Sequence, residues 1–192
     1  MGGGEILTIA SEPQYADLAS EIRGWLCESP YIGLSKETEP SAVTVFMGRL
    51  AAKVVPHMHL HQPIPPANLV RDPEVIKSLE TDPLLHGIGT LEGLSGMLDR
   101  SAALNDGKRK LNIGVKSLWV GHGTGDKGTS WEASKKWVEE QKEVEDKTFR
   151  GYEGAYHQLH ADTKEVADLF AKEVGDWILA RSGQEGKKDS KL

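Results

Sequence analysis

The residues best suited to chemistry in this chain are an aspartate and a histidine, each released by a short apolar run. His157 lies in Tyr152-Glu153-Gly154-Ala155-Tyr156-His157-Gln158-Leu159-His160, between an apolar run (Thr148, Phe149, Tyr152) and a long amphipathic helix. A histidine on a loop leaving a strand can meet groups from elsewhere in a fold, and it titrates near neutral pH. Asp126 closes Gly121-His122-Gly123-Thr124-Gly125-Asp126, directly after the strand-like run Ile113–Val120. The glycines there let the backbone turn sharply. An acid and an imidazole at neighbouring strand ends suggest an Asp–His pair, in which the carboxylate fixes the ring's tautomer and stabilises its cationic form. Such a pair normally serves a nucleophile.

Other reactive side chains fit chemistry less well. Ser29 follows a strand-like run but precedes Pro30, and Ser-Pro after a strand reads as a turn. No helix N-terminus follows it to supply oxyanion donors. Cys27, the single cysteine, excludes an internal disulfide and reads as a small apolar strand residue. His57, His59 and His61 alternate, as metal ligands on one face of a strand can. However, Pro56, Pro63, Pro65 and Pro66 make that segment an exposed, irregular loop, so no metal or other cofactor is expected. The stretch Gly123 to Ser130 lacks the lysine that a phosphate loop places before its hydroxyl residue.

Strands and helices must position the aspartate and histidine. A helix is expected over Gly3 to Glu12, then a strand over Ile22–Glu28. Helical spacing of Val43, Phe46, Met47, Leu50, Ala51 and Val54 comes next, closed by Pro56. Helical patterns resume over Asp72–Leu79 and Leu85–Leu104. Beyond the Asp126 loop a helix is expected from about Ser130 to Val144, with Trp131, Trp137 and Val138 facing inward. Asp162 and Glu165 have the spacing of a capping box for the last helix, whose buried stripe is Val166, Leu169, Phe170, Val174, Trp177 and Ile178.

Composition bounds the reading further. Of 192 residues 38% are hydrophobic and 27% charged, with a net charge of −6 and a pI near 5.7. That acidic balance argues against a nucleic-acid partner, since phosphate binding wants a basic face. No apolar run approaches the roughly 18–20 residues needed to span a bilayer. The glycine-rich N-terminus lacks the basic region of a signal peptide, so a cytoplasmic location is expected.

Leu118-Trp119-Val120-Gly121-His122-Gly123-Thr124-Gly125-Asp126, with Tyr152-Glu153-Gly154-Ala155-Tyr156-His157 further on, resembles the acid and histidine segments of α/β-hydrolases. The resemblance is greatest to monoacylglycerol lipases and extends to about Arg181. It implies a partial α/β-hydrolase fold: the last three parallel strands with flanking helices, and a helical cap insert. Residues 1–30 would hold the nucleophile helix and first retained strand, 31–106 the cap, and 107–182 the part carrying acid and histidine. The tail 183–192 would be disordered.

On the same resemblance Met1-Gly2-Gly3-Gly4-Glu5 is similar to the residues just after the serine of the elbow G-x-S-x-G. Asp126 is then the acid, His157 the base, the Met1 backbone N–H an oxyanion donor, and His160 a packing or hydrogen-bonding neighbour. The serine would lie just before Met1, so the chain is expected to hold no nucleophile and to be inactive by itself. A monoacylglycerol or similar lipid ester is the implied small-molecule substrate, with peripheral contact to membranes or lipid droplets. The alternative is a non-catalytic pseudoenzyme that binds acylglycerols or a partner. The first retained strand would have an unpaired edge, which predicts instability, self-association or complementation by another polypeptide.

Overall fold

The computed structural model describes residues 1–183, so the expected tail lies outside the described residues but for its first position. Helix α1 (Gly2–Ser11) and a short helix α2 (Ala16–Glu21) lead into strand β1 (Trp25–Glu28). The insert comes next, with α3 (Ala42–Val54), β2 (His59–His61), α4 (Pro73–Glu80), β3 (Ile88–Thr90) and α5 (Leu91–Asn105). The remainder is β4 (Ser117–Gly123), α6 (Trp131–Glu139), β5 (Asp146–Tyr152) and α7 (Lys164–Arg181).

Strands β1, β4 and β5 form a parallel sheet in the order β1-β4-β5, so β4 is central and every residue of it is buried. A central parallel strand has both faces covered, which is why Leu118, Trp119 and Val120 run without polar alternation. One face carries Leu7, Ala10, Trp25, Cys27, Leu118, Val120, Trp137 and Val138 from α1, β1, β4 and α6. The other carries Trp119, Tyr152, Ala155, Leu159 and Phe170, with Trp119 and Tyr152 meeting Phe170 edge-on. Burial pushes the Cys27 thiol up to about 12, consistent with a small apolar residue rather than a reactive thiol. Among the described residues β1 has a single strand partner, β4.

The glycines at the start of α1 serve close packing. A Cβ at Gly4 would lie 2.6 Å from the carbonyl oxygen of Tyr31. Helix α1 therefore rests directly on the chain leaving β1, with its N-terminal end at the sheet's carboxyl edge.

Several boundaries differ from the sequence reading, for identifiable reasons. The strand expected from Ile113 begins at Ser117, because Val115 N–H closes a turn onto the Asn112 carbonyl at 3.0 Å. The loop expected over His57 to Pro66 contains β2, antiparallel to β3, with His59 opposite Thr90 and His61 opposite Ile88. The helix expected from Leu85 accordingly starts at Leu91, after Thr90 Oγ1 accepts the Gly93 N–H at 3.1 Å. The insert is thus not wholly helical. Helix α7 has Thr163 rather than Asp162 at its N-cap, and no side chain caps it. Its stripe is only partly covered: Phe170 is buried, whereas Leu169 and Ile178 are exposed.

Two substitutions separate core from surface. Leu118→Ala removes a fully buried side chain from the central strand and is expected to cost about 2–5 kcal/mol. Ile113→Ala, at a position 86% exposed, is expected to stay within about 0.5 kcal/mol. Urea denaturation midpoints check both.

Candidate active site

Parallel strands deliver their carboxyl ends to one edge of the sheet, and the polar loops leave from there. The β4 and β5 exits are laced together: Thr124 N–H donates to the Tyr152 carbonyl and Gly125 N–H to the Ala155 carbonyl, both at 2.9 Å. Gly154 N–H donates to Thr124 Oγ1 at 2.8 Å. The lacing requires glycine at 123, where a Cβ would sit 2.2 Å from the Ala155 carbonyl oxygen and 2.3 Å from that of Tyr156. This close approach brings the acid loop against the histidine loop.

Asp126 and His157 meet, with His157 Nδ1 2.8 Å from Asp126 Oδ2. The carboxylate accepts Gly128 N–H at 2.7 Å and Thr129 N–H at 3.0 Å on Oδ1. On Oδ2 it accepts the Thr129 hydroxyl at 2.7 Å and His122 Nε2 at 3.1 Å. Burial alone would raise its pKa, but hydrogen bonds from His122, His157 and Thr129, with the His157 charge, hold it well below the usual carboxylate range. An ionised Asp126 accepts only, so His157 carries its proton on Nδ1. That leaves Nε2, on the far side of the ring, as the atom able to take a proton from elsewhere. The His157 side chain keeps 23% of its surface exposed, while that of Asp126 is wholly buried.

Sequence reasoning missed His122, which is fully buried and gives Asp126 a second imidazole donor. Its signal is present in Gly121-His122-Gly123, since a polar residue inside a buried strand needs a partner. Thr129, the third side-chain donor, carries no comparable signal.

The other candidates have partners or settings of their own. His160 Nδ1 is 2.8 Å from Glu28 Oε2, and its backbone N–H donates to Glu28 Oε1 at 3.0 Å. It ties the histidine loop to the end of β1. Ser29 sits there with φ of 41° and is buried, its Oγ without a hydrogen-bond partner among the described residues. Met1 is the exposed N-cap of α1, its carbonyl accepting Gly4 N–H at 2.9 Å. His59 and His61 occupy exposed positions of β2. Among the described residues, no group of three His, Cys, Asp or Glu side chains could hold a metal ion.

This parallel sheet with flanking helices and a polar carboxyl edge is that of an α/β-hydrolase. The chain belongs to the family described as Hydrolase_4, serine aminopeptidase S33, whose model matches residues 1–164. It is 28% identical over 185 residues to a putative monoglyceride lipase of Schizosaccharomyces pombe, covering 95% of this chain and 46% of that protein. It is also 28% identical over 189 residues to the monoglyceride lipase of Mus musculus, covering 97% and 58%. The chain therefore spans about half the length of these curated relatives. A soluble variant of Saccharomyces cerevisiae monoglyceride lipase, solved with a substrate analog, superposes with a TM-score of 0.80 at 21% identity. That match covers 93% of this chain and 62% of the other, and it speaks to the fold. The Paleococcus ferrophilus monoacylglycerol lipase gives 0.76 at 25% identity, covering 93% and 65%.

The depressed pKa of Asp126 makes a signed prediction. A carboxyl group whose folded pKa lies below its ordinary 3.8 stabilises the fold above that pH, and the contribution fades as pH falls toward the folded value. The urea-midpoint gap between wild type and Asp126→Asn should narrow as pH falls below about 4. Gly123→Ala is expected to part the two loops, weakening the His157 Nδ1 proton signal in NMR spectra while the core stays folded.

Proposed function

We propose that this chain supplies the acid and base of a serine ester hydrolase acting on monoacylglycerols or similar lipid esters. The observation that carries the reading is the 2.8 Å contact between His157 Nδ1 and a buried, ionised Asp126, in a chain similar to monoglyceride lipases. On this reading His157 Nε2 takes the proton of a serine hydroxyl as it attacks the ester carbonyl. His157 then returns that proton to the departing glycerol oxygen. Asp126 holds the ring in its Nδ1–H form and stabilises the imidazolium. The head of α1 would face the developing oxyanion, with the backbone N–H of Met1 as one donor.

Among the described residues no serine hydroxyl hydrogen-bonds to His157, and Ser29 Oγ is buried away from solvent. On this proposal the hydroxyl that His157 activates belongs to a serine other than Ser29. A second reading is a pseudoenzyme that binds acylglycerols or a partner without cleaving them, in which Thr129 Oγ1 is the hydroxyl within reach of His157 Nδ1, at 3.4 Å.

The lipid side of both readings draws support from α3. Val43, Phe46, Met47, Leu50 and Val54 are all more than half exposed, at spacings that align them along the helix. An apolar stripe of this kind suits peripheral contact with a membrane or lipid droplet. No described helix is long and apolar enough to cross a membrane.

Fluorophosphonate labelling tests the hydrolase reading. This chain should not label. A chimera carrying it behind the preceding part of the mouse monoglyceride lipase, through the elbow serine, should label and lose labelling on His157→Ala. A chimera indifferent to His157→Ala would sink the assignment of the base. Sedimentation with phosphatidylcholine vesicles tests the stripe. Phe46→Asp with Leu50→Asp is expected to weaken binding at least about tenfold, since each wholly buried apolar side chain contributes about 1.5–3 kcal/mol.

A further inference from the structure

The backbone on either side of His157 is tethered, before it through Asp162 and after it by the insert directly. Before it, Tyr156 N–H donates to Asp162 Oδ2 at 2.8 Å. After it, Gln158 N–H donates to the Leu69 carbonyl at 3.0 Å. The Asp162 side chain is wholly buried, and its charge is met by Arg71, whose N–H and Nε each reach Oδ1 at 2.9 Å. Nε also lies 3.1 Å from Oδ2. The Arg71 guanidinium further sits 5.8 Å from the centroid of the Tyr156 ring, which Lys127, next to Asp126, approaches at 4.5 Å.

Positions 69 to 71 lie between α3 and α4, some ninety residues upstream of the loop they grip. We infer that Arg71 is a positioning residue for His157, acting through Asp162 so that the insert sets where the imidazole stands against Asp126. A buried carboxylate is costly unless paired and hydrogen-bonded. Here its four bonds all go to Arg71 and to the residue preceding His157, so the cost of burial is offset only when the insert is docked on the histidine loop. Two tethers flanking one residue restrict its backbone dihedrals from both sides. That restriction keeps Nδ1 within reach of Asp126, while Arg71 itself spends its hydrogen bonds on Asp162. The clamp bears on catalysis through the reading of His157 as general base, but its geometry is measurable without turnover.

The test uses the full chain labelled with 15N-histidine, following the Nδ1 proton of His157 in its bond to Asp126. Arg71→Met alone strands a buried charge and invites unfolding, so the informative variant is Arg71→Met with Asp162→Asn. It is expected to fold by circular dichroism, to keep the His122 Nε2 proton signal, and to lose the His157 signal through faster exchange with water. Arg71→Lys, which keeps a cationic donor for Asp162, is expected to retain it. Leu104→Ala, a destabilising change in the opposite core, is the control for general loosening. An unchanged His157 signal in the double variant, or equal loss in Leu104→Ala, would overturn the inference. Failure of the hydrolase reading shows up separately, as serine labelling that ignores His157.

Discussion

The structure at the sheet's carboxyl edge depends on one buried carboxylate. Asp126 could not remain ionised in that place on Coulomb attraction to a single partner, because removal from water disfavours charge. It does so because five donors converge on it, two backbone amides of its own turn, the Thr129 hydroxyl and two imidazoles. Each donor is fixed by a different device. The amides come from the tight turn Asp126–Thr129, His122 from the buried central strand, and His157 from a separate loop. The hub therefore links β4 to the exit of β5, and the edge of the sheet is ordered around it.

Positioning of His157 then divides into two problems with separate solutions. The ring's rotation and tautomer are set by Asp126 from the sheet side. The location of its backbone is set from the other side, by the tethers from Leu69 and Asp162 and by the glycine that lets the two loops touch. A histidine supported in this way gives one ring nitrogen, Nδ1, to Asp126 and keeps part of its ring exposed. The insert, whose α3 bears the exposed apolar stripe, is consequently also part of the frame around His157.

Where apolar pattern and glycine placement agree, as for Leu118–Val120 and the two loops that leave β4 and β5, elements and site are both legible. The failures share a cause. Ile113 looks like strand by residue type, but the turn at Asn112–Val115 takes its backbone out of the ladder. Asp162 has capping-box spacing, yet a buried ion pair with a residue far upstream claims its carboxylate instead. His59 and His61 look like loop beside their prolines, although pairing with Ile88–Thr90 supplies the hydrogen bonds that local sequence cannot reveal.

The sequence by itself determined the class of the fold, the strand ends from which Asp126 and His157 depart, and the kinship of both segments to those of monoacylglycerol lipases. The strand ends rest on local patterns, which backbone propensity and burial impose over a few residues, whereas the fold class and the kinship follow from the resemblance of whole segments. Only the tertiary structure decided that His122 and Thr129 share the carboxylate, that His160 turns to Glu28, and that Arg71 reaches across to Asp162. Those partners are remote or neutral in pattern, and a buried polar group's choice among them depends on which chain segments the packed core brings within hydrogen-bonding distance.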